Sequence, residues 1–126
     1  MAEATLHHGE YRTMQYTPSS GAIDAGDMVV IGSVTANTNG VGALLGVAHR
    51  DIANNVQGTL AIGGGVYDCV IASNYAEGVV LYKPSGNAIL TTTGTNNARF
   101  GVLLEAAAAA NAVCQVLHDP TPDAIA

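Results

Sequence analysis

Tryptophan is absent from the chain, phenylalanine occurs once, at Phe100, and five tyrosines complete the aromatic set. With 48% hydrophobic residues but so few rings, the core has to be built from Val, Ile, Leu and Ala. Charge is scarce too: 11% of residues carry one, against roughly 25% in an average soluble domain. Such a surface is expected either to be covered in part by a partner or to be solvated by Ser, Thr and Asn. The net charge is −6, and the basic residues Arg12, Arg50, Lys83 and Arg99 are scattered. That leaves no electrostatic footprint for a phosphate backbone, and nucleic acid is excluded as a partner. No run approaches the ~18 apolar residues of a membrane helix, so no membrane partner is expected. Met1 to Thr5 lacks the basic region and apolar stretch of a signal peptide, so synthesis in the cytoplasm is expected. In that compartment the two distant cysteines, Cys69 and Cys114, read as small buried hydrophobes rather than as a disulfide.

What the chain does have is glycine, fifteen against four prolines, and short apolar segments between polar turns. At 126 residues there is room for one domain with one core. The organising stretch runs from Leu44 to Asp68. Leu44 to Ile52, Gly58 to Ile62 and Gly65 to Asp68 are joined by Gly- and Asn-bearing connections, as in a meander of short antiparallel strands. The periodicity therefore predicts an all-β protein: a single compact domain of short antiparallel strands, barrel or sandwich. Its expected divisions are an N-terminal arm and edge strand at 1–16, an all-β body at 17–118, and a flexible tail at 119–126.

Residues 1 to 9 are polar and read as a loose arm. Glu10 to Tyr16 has strand-forming residues without clean alternation, which predicts an edge strand or one that pairs outside its own domain. The turn Asp24 to Asp27 launches the apolar strand Met28 to Ile31, and Asn39-Gly40 is a hairpin signal. Tyr67, Cys69 and Ile71 share one face, and Phe100, Val102 and Leu104 alternate towards one side. Ala88 to Thr93 is suited to a strand, and Glu105 to Ala112 to either one or two helical turns or a strand end and loop. A weak echo matches Gly26 to Val30, Leu45 to Ala48 and Thr59 to Ile62 with Gly78 to Leu81, Phe100 to Leu103 and Cys114 to Leu117. Two similar β-units or chance likeness between two meanders would both produce it.

No catalytic constellation emerges. His7, His8, His49 and His118 lack metal-ligand spacing, and no cofactor is implied. His49-Arg50-Asp51 crowds charge at a strand end, either as an interface or as a turn with a local ion pair. Asp24 and Asp27 have too few oxygen partners for a calcium loop, Gly63-Gly64-Gly65 is a tight corner rather than a phosphate cradle, and no serine sits in a nucleophile elbow. An enzyme is not expected.

Tyr16-Thr17-Pro18, Ala25 to Val30, Leu45 to Ile52, Gly58 to Ile62, Gly65 to Asp68, Thr91 to Thr93 and Gly101 to Ala107 occur in an order that resembles the DUF2190 family, the capsid cement or head decoration proteins of tailed phages and prophages. The likeness runs from about Tyr16 to Leu117; a longer Thr35 to Gly42 loop and the polyalanine stretch depart from it. The resemblance implies a β-tulip-like decoration domain, made in the host cytoplasm and carried on the outer capsid surface of the virion. It also implies a symmetric homo-oligomer, a trimer favoured, that bridges neighbouring copies of the major capsid protein. Tyr11, Arg12, Met14, Tyr16, His49, Arg50 and Asp51 are the candidate residues for the capsid or protomer interface, with residues 1 to 16 pairing there by strand addition. The rival reading is a virion-surface β-module that binds a carbohydrate or receptor.

Overall fold

A computed structural model describes residues 4–8 and 12–120. Its nine strands are β1 (Ala4–His8), β2 (Arg12–Tyr16), β3 (Met28–Gly32), β4 (Ala43–Ala48), β5 (Gly58–Gly63), β6 (Val66–Ile71), β7 (Val80–Lys83), β8 (Ala98–Leu103) and β9 (Ala112–His118). They form two antiparallel sheets, ordered β2-β5-β4-β3 and β1-β6-β9-β8-β7, packed face to face rather than closed into one barrel. The fold is all-β, as the sequence predicts. Met28, Leu45 and Val47 from the first sheet meet Tyr67, Cys69, Ile71, Leu81, Phe100, Leu103 and Val116 from the second in the main core.

Local sequence explains the strand boundaries. Asp27 N–H donates to Asp24 O at 3.0 Å and Asp24 N–H to the Asp27 carboxylate at 2.9 Å, closing the turn that starts β3. Gly63 and Gly64 have φ of +147° and +98°, and this corner carries the chain from one sheet to the other. His118 O and Gly65 O close it, accepting from Gly64 N–H and His118 N–H at 2.8 Å each. Glu10 to Tyr16 yields the edge strand β2, which pairs with β5 inside its own sheet; Glu10 and Tyr11 lie outside the described residues. Ala4–His8, within the expected loose arm, pairs with β6. At the other end Pro120 is fully buried, while 121–126 lie outside the described residues.

Two local expectations change, and one open alternative is resolved. Phe100, Val102 and Leu104 do not share a side: Phe100 and Leu103 enter the core, whereas Val102 is half-buried and Leu104 exposed, the β7–β8 register being shifted between Leu81 and Tyr82. Ala88 to Thr93 forms no strand, because its backbone pairing is divided between two neighbours: Leu90 with Val70 and Ala72, Thr91 with Tyr82. Of the two readings of Glu105 to Ala112 the strand end and loop holds: residues 105–111 are loop and Ala112 opens β9, the loop's backbone bonds being made to other elements. Ala107 N–H donates to Tyr75 O at 3.0 Å and Asn111 N–H to Ile71 O at 2.8 Å.

The sequence echo has a structural counterpart. Strands β2 to β5 and β6 to β9 have the same topology, a meander of three strands with the preceding strand returned beside the last one, a Greek-key arrangement. Registers match across the halves: Met28↔Val47 corresponds to Val80↔Val102, Ala48↔Leu60 to Leu103↔Val116, and Met14↔Leu60 to Tyr67↔Val116. Even the loop contacts agree, Ile23 with Ile52 in one half and Tyr75 with Ala107 in the other. The third sequence match is shifted by one residue, pairing Leu60 with Val116 rather than with Gln115, and such a shift exchanges the two faces of a strand. Corresponding faces are used differently. Tyr67, Leu103 and Val116 point into the main core, whereas Met14, Ala48 and Leu60 form a second apolar cluster with Ile23 and Ile52 on the outside of the first sheet.

Candidate functional site

β2 and the β4–β5 connection bring most of the expected interface residues to one sheet. Arg12 is exposed at the start of β2, and Met14 and Tyr16 are half-buried against the Leu60 cluster. His49 follows β4, half-buried, with Arg50 and Asp51 exposed beyond it. Tyr11 lies outside the described residues. Asp51 carboxylate accepts Ala25 N–H at 2.8 Å, which ties the 49–51 turn to the Asp24 to Asp27 turn.

His49 and Arg50 line an open cleft of about 400 Å³ with Thr13, Ile52, Gly58, Thr59 and Ala61. Met14 and Tyr16 alternate to the opposite face of β2 from Thr13, so the expected residues that are described do not all lie on one surface. In the cleft wall His49 Nε2 lies 2.6 Å from Tyr67 Oη, linking the two sheets, and burial lowers the His49 pKa.

Behind that bond is a ring cluster that sequence reasoning did not single out. Tyr67 meets Phe100 edge-on at 6.1 Å and His118 edge-on at 5.7 Å, and Phe100 and His118 lie 4.9 Å apart. His118 is fully buried, with Nε2 donating to Leu45 O at 2.9 Å. A carbonyl only accepts, so the proton sits on Nε2, and Nδ1 has no hydrogen-bond partner among the described residues. Burial pushes the His118 pKa down to about 4, outweighing the Leu45 bond and Asp119, which act upward. The available signal was the alternation Cys114, Val116, His118, which places the imidazole on the core face.

Cys69 and Cys114 are opposed across β6 and β9, free and buried, with both thiol pKa values raised mainly by burial. Among the described residues no group of three or more His, Cys, Asp or Glu could hold a metal ion. Among the described residues no helix is long and apolar enough to cross a membrane. The cleft offers one imidazole, one guanidinium and two threonine hydroxyls on an apolar floor.

Fold and site together define a small β-sandwich with two Greek-key halves in a chain of which only 11% of residues are charged. Its family is shown by direct comparison: the model for phage cement proteins matches residues 7–118, and the chain belongs to that family. The match shows the kind of protein that the sequence resembles, without the DUF2190 label itself. As a cement protein it is a structural protein associated with a phage capsid. No curated protein and no solved structure matches the chain.

Proposed function

We propose that the protein decorates the outer surface of a phage capsid as a symmetric homo-oligomer, a trimer being the favoured form, and holds neighbouring major capsid subunits together. The observation that carries this reading is that the cement-protein match spans strands from both sheets, residues 7–118. The mechanism is binding alone. Each copy adds buried area across a capsomer boundary, and many symmetric copies multiply a modest contact.

Side-chain distribution supports the reading. Val30, Val56, Leu104 and Val113 are exposed hydrophobics, while only 11% of the sequence is charged. Shell contacts on such a surface are mainly apolar. The cleft at His49 and Arg50 and the half-buried pair Met14 and Tyr16 are the candidate contact regions. Residues 1–16 are the proposed arm, engaging the shell or a neighbouring protomer through the free edges of β1 and β2. A sugar-binding module would present aromatic platforms, but Tyr67, Tyr82 and Phe100 are buried here.

Co-sedimentation with expanded capsids tests the proposal. Saturable binding that raises the shell's unfolding temperature is expected; no binding to any maturation state of the shell would refute it. Deleting residues 1–9, which spares β2, is expected to weaken shell binding at least about tenfold. Unchanged affinity would remove the arm from the mechanism.

A further inference from the structure

The second sheet leaves part of the first sheet's inner face uncovered. Val47 enters the core and pairs with Ala61, which pairs with Thr13, so Thr13, Ala61 and Thr59 share the core-facing side. Thr13 and Thr59 are nevertheless exposed, and with His49 and Arg50 they line the open cleft of about 400 Å³. Ile52 and Ala61 give it an apolar floor, and no carboxylate lines it among the described residues. Pro120 stands at the head of this shelf. A Cβ at Gly63, two residues beyond Ala61, would lie 3.3 Å from Arg12 Nη2 and 3.4 Å from Pro120 Cδ. Arg12 and Arg50, two of the four Lys and Arg residues in a chain of net charge −6, therefore flank the shelf at its two ends.

We propose that residues 121–126 run from Pro120 along this shelf as an intramolecular strap, with Asp123 beside Arg50 and Ile125 on the apolar floor, until the shell displaces them. The lengths agree. From Gly63 to Thr59 β5 spans about 13 Å, and an extended chain carries Asp123 about 10 Å beyond Pro120 and Ile125 about 17 Å. Asp123 and Ile125 are two residues apart, so an extended segment turns both to the same side. The charges agree too, because Asp123 is the one charged residue of Thr121 to Ala126 and both flanking groups are guanidinium ions. The tether makes this segment the occupant: held at Pro120, it faces the cleft at an effective concentration on the order of millimolar, which a separate chain has to exceed. Displacement by the shell rests on the proposed function; the seating of the strap does not.

The test is paramagnetic broadening of amide resonances in the full chain, with a nitroxide on A126C; Cys69 and Cys114 are buried and stay unlabelled. Signals of Thr13, Arg50 and Thr59 are expected to broaden, while those of Lys83 and Ser85, at and beyond the end of β7, keep their intensity. D123K in the same labelled chain is expected to restore the cleft signals. No broadening in the cleft, or broadening that D123K leaves unchanged, would overturn the strap. Broadening seen only when a spin-labelled chain is mixed with an isotope-labelled unmodified one would also overturn it, and would assign the cleft to a neighbouring copy. A chain ending at Pro120 is expected to bind expanded capsids at least about fivefold more tightly, because the fraction of chains with an open cleft sets the apparent affinity. Equal or weaker binding would overturn displacement by the shell. Absence of shell binding by both chains would refute the capsid role, and the resonance measurement then decides the strap by itself.

Discussion

At the scale of single residues, the imidazole of His118 carries the clearest pH dependence. Its pKa is about 4 in the folded chain and ordinarily about 6.5 in an unfolded one. Between these values the unfolded state binds the proton and the folded state does not, so stability falls as pH drops from 6.5 towards 4. The loss amounts to about 3 kcal/mol when fully developed. Urea midpoints at pH 7.5 and 4.5 should show it. H118L should flatten most of the slope, leaving the smaller contribution of His49 in the same direction. Gly101 makes a second residue-level prediction. A Cβ there would overlap the Leu117 carbonyl oxygen, so G101A should cost about 3 kcal/mol or more in the same urea experiment. The two thiols should be inert: burial disfavours both thiolates, and native protein should react with a thiol reagent at least about 100-fold more slowly than unfolded protein.

At the scale of elements, alternation and turn chemistry made most strands legible. Met28 to Ile31 and Gly58 to Ile62 stand out because their apolar runs end at Gly32 and Gly63, and β6 because Tyr67, Cys69 and Ile71 alternate to one face. Ala88 to Thr93 misled because β-propensity records side-chain fit, whereas this segment divides its backbone bonds between β6 and β7. Glu105 to Ala112 stayed ambiguous because alanine's helix preference is weak over eight residues, and tertiary bonds to Tyr75 and Ile71 overrode it. That loop ends at Asn111, whose φ is +64°. N111A should cost about 1 kcal/mol by thermal or urea unfolding, whereas N111G should be nearly neutral, because glycine enters the left-handed region without penalty. The site was less legible than the strands. Met14 and Tyr16 share the face opposite Thr13 by alternation alone, but the placing of Thr13 beside His49 follows from β2 pairing with β5, a long-range contact that periodicity does not encode.

At the scale of the whole molecule, scarcity of charge sets the character of association. With fourteen Asp, Glu, Lys and Arg residues in 126, contacts with the shell or with another copy draw little on long-range attraction. Affinity for expanded capsids should change less than about threefold between roughly 0.05 and 0.5 M NaCl, measured by co-sedimentation. A steep decline with salt would instead place Arg12, Arg50, Lys83 and Arg99 at the contact. The duplication of β2 to β5 in β6 to β9 was only partly legible, because the sequence echo aligned β5 and β9 one residue away from their structural register.

The strand order also fixes a schedule for folding. Among the described residues β9 is the last strand in chain order, yet it lies at the centre of the five-stranded sheet, between β6 and β8. Strand β6 has to wait for β9 before gaining its main partner, and β1 waits for β6 from the opposite end of the chain. Pairings between such distant segments are slow to form. On the ribosome, the four-stranded sheet has all its strands once β5 has emerged, while the second sheet cannot be assembled until β9 has emerged. A chain cut short before residue 112 would therefore present β6 and β8 as open edges and invite aggregation.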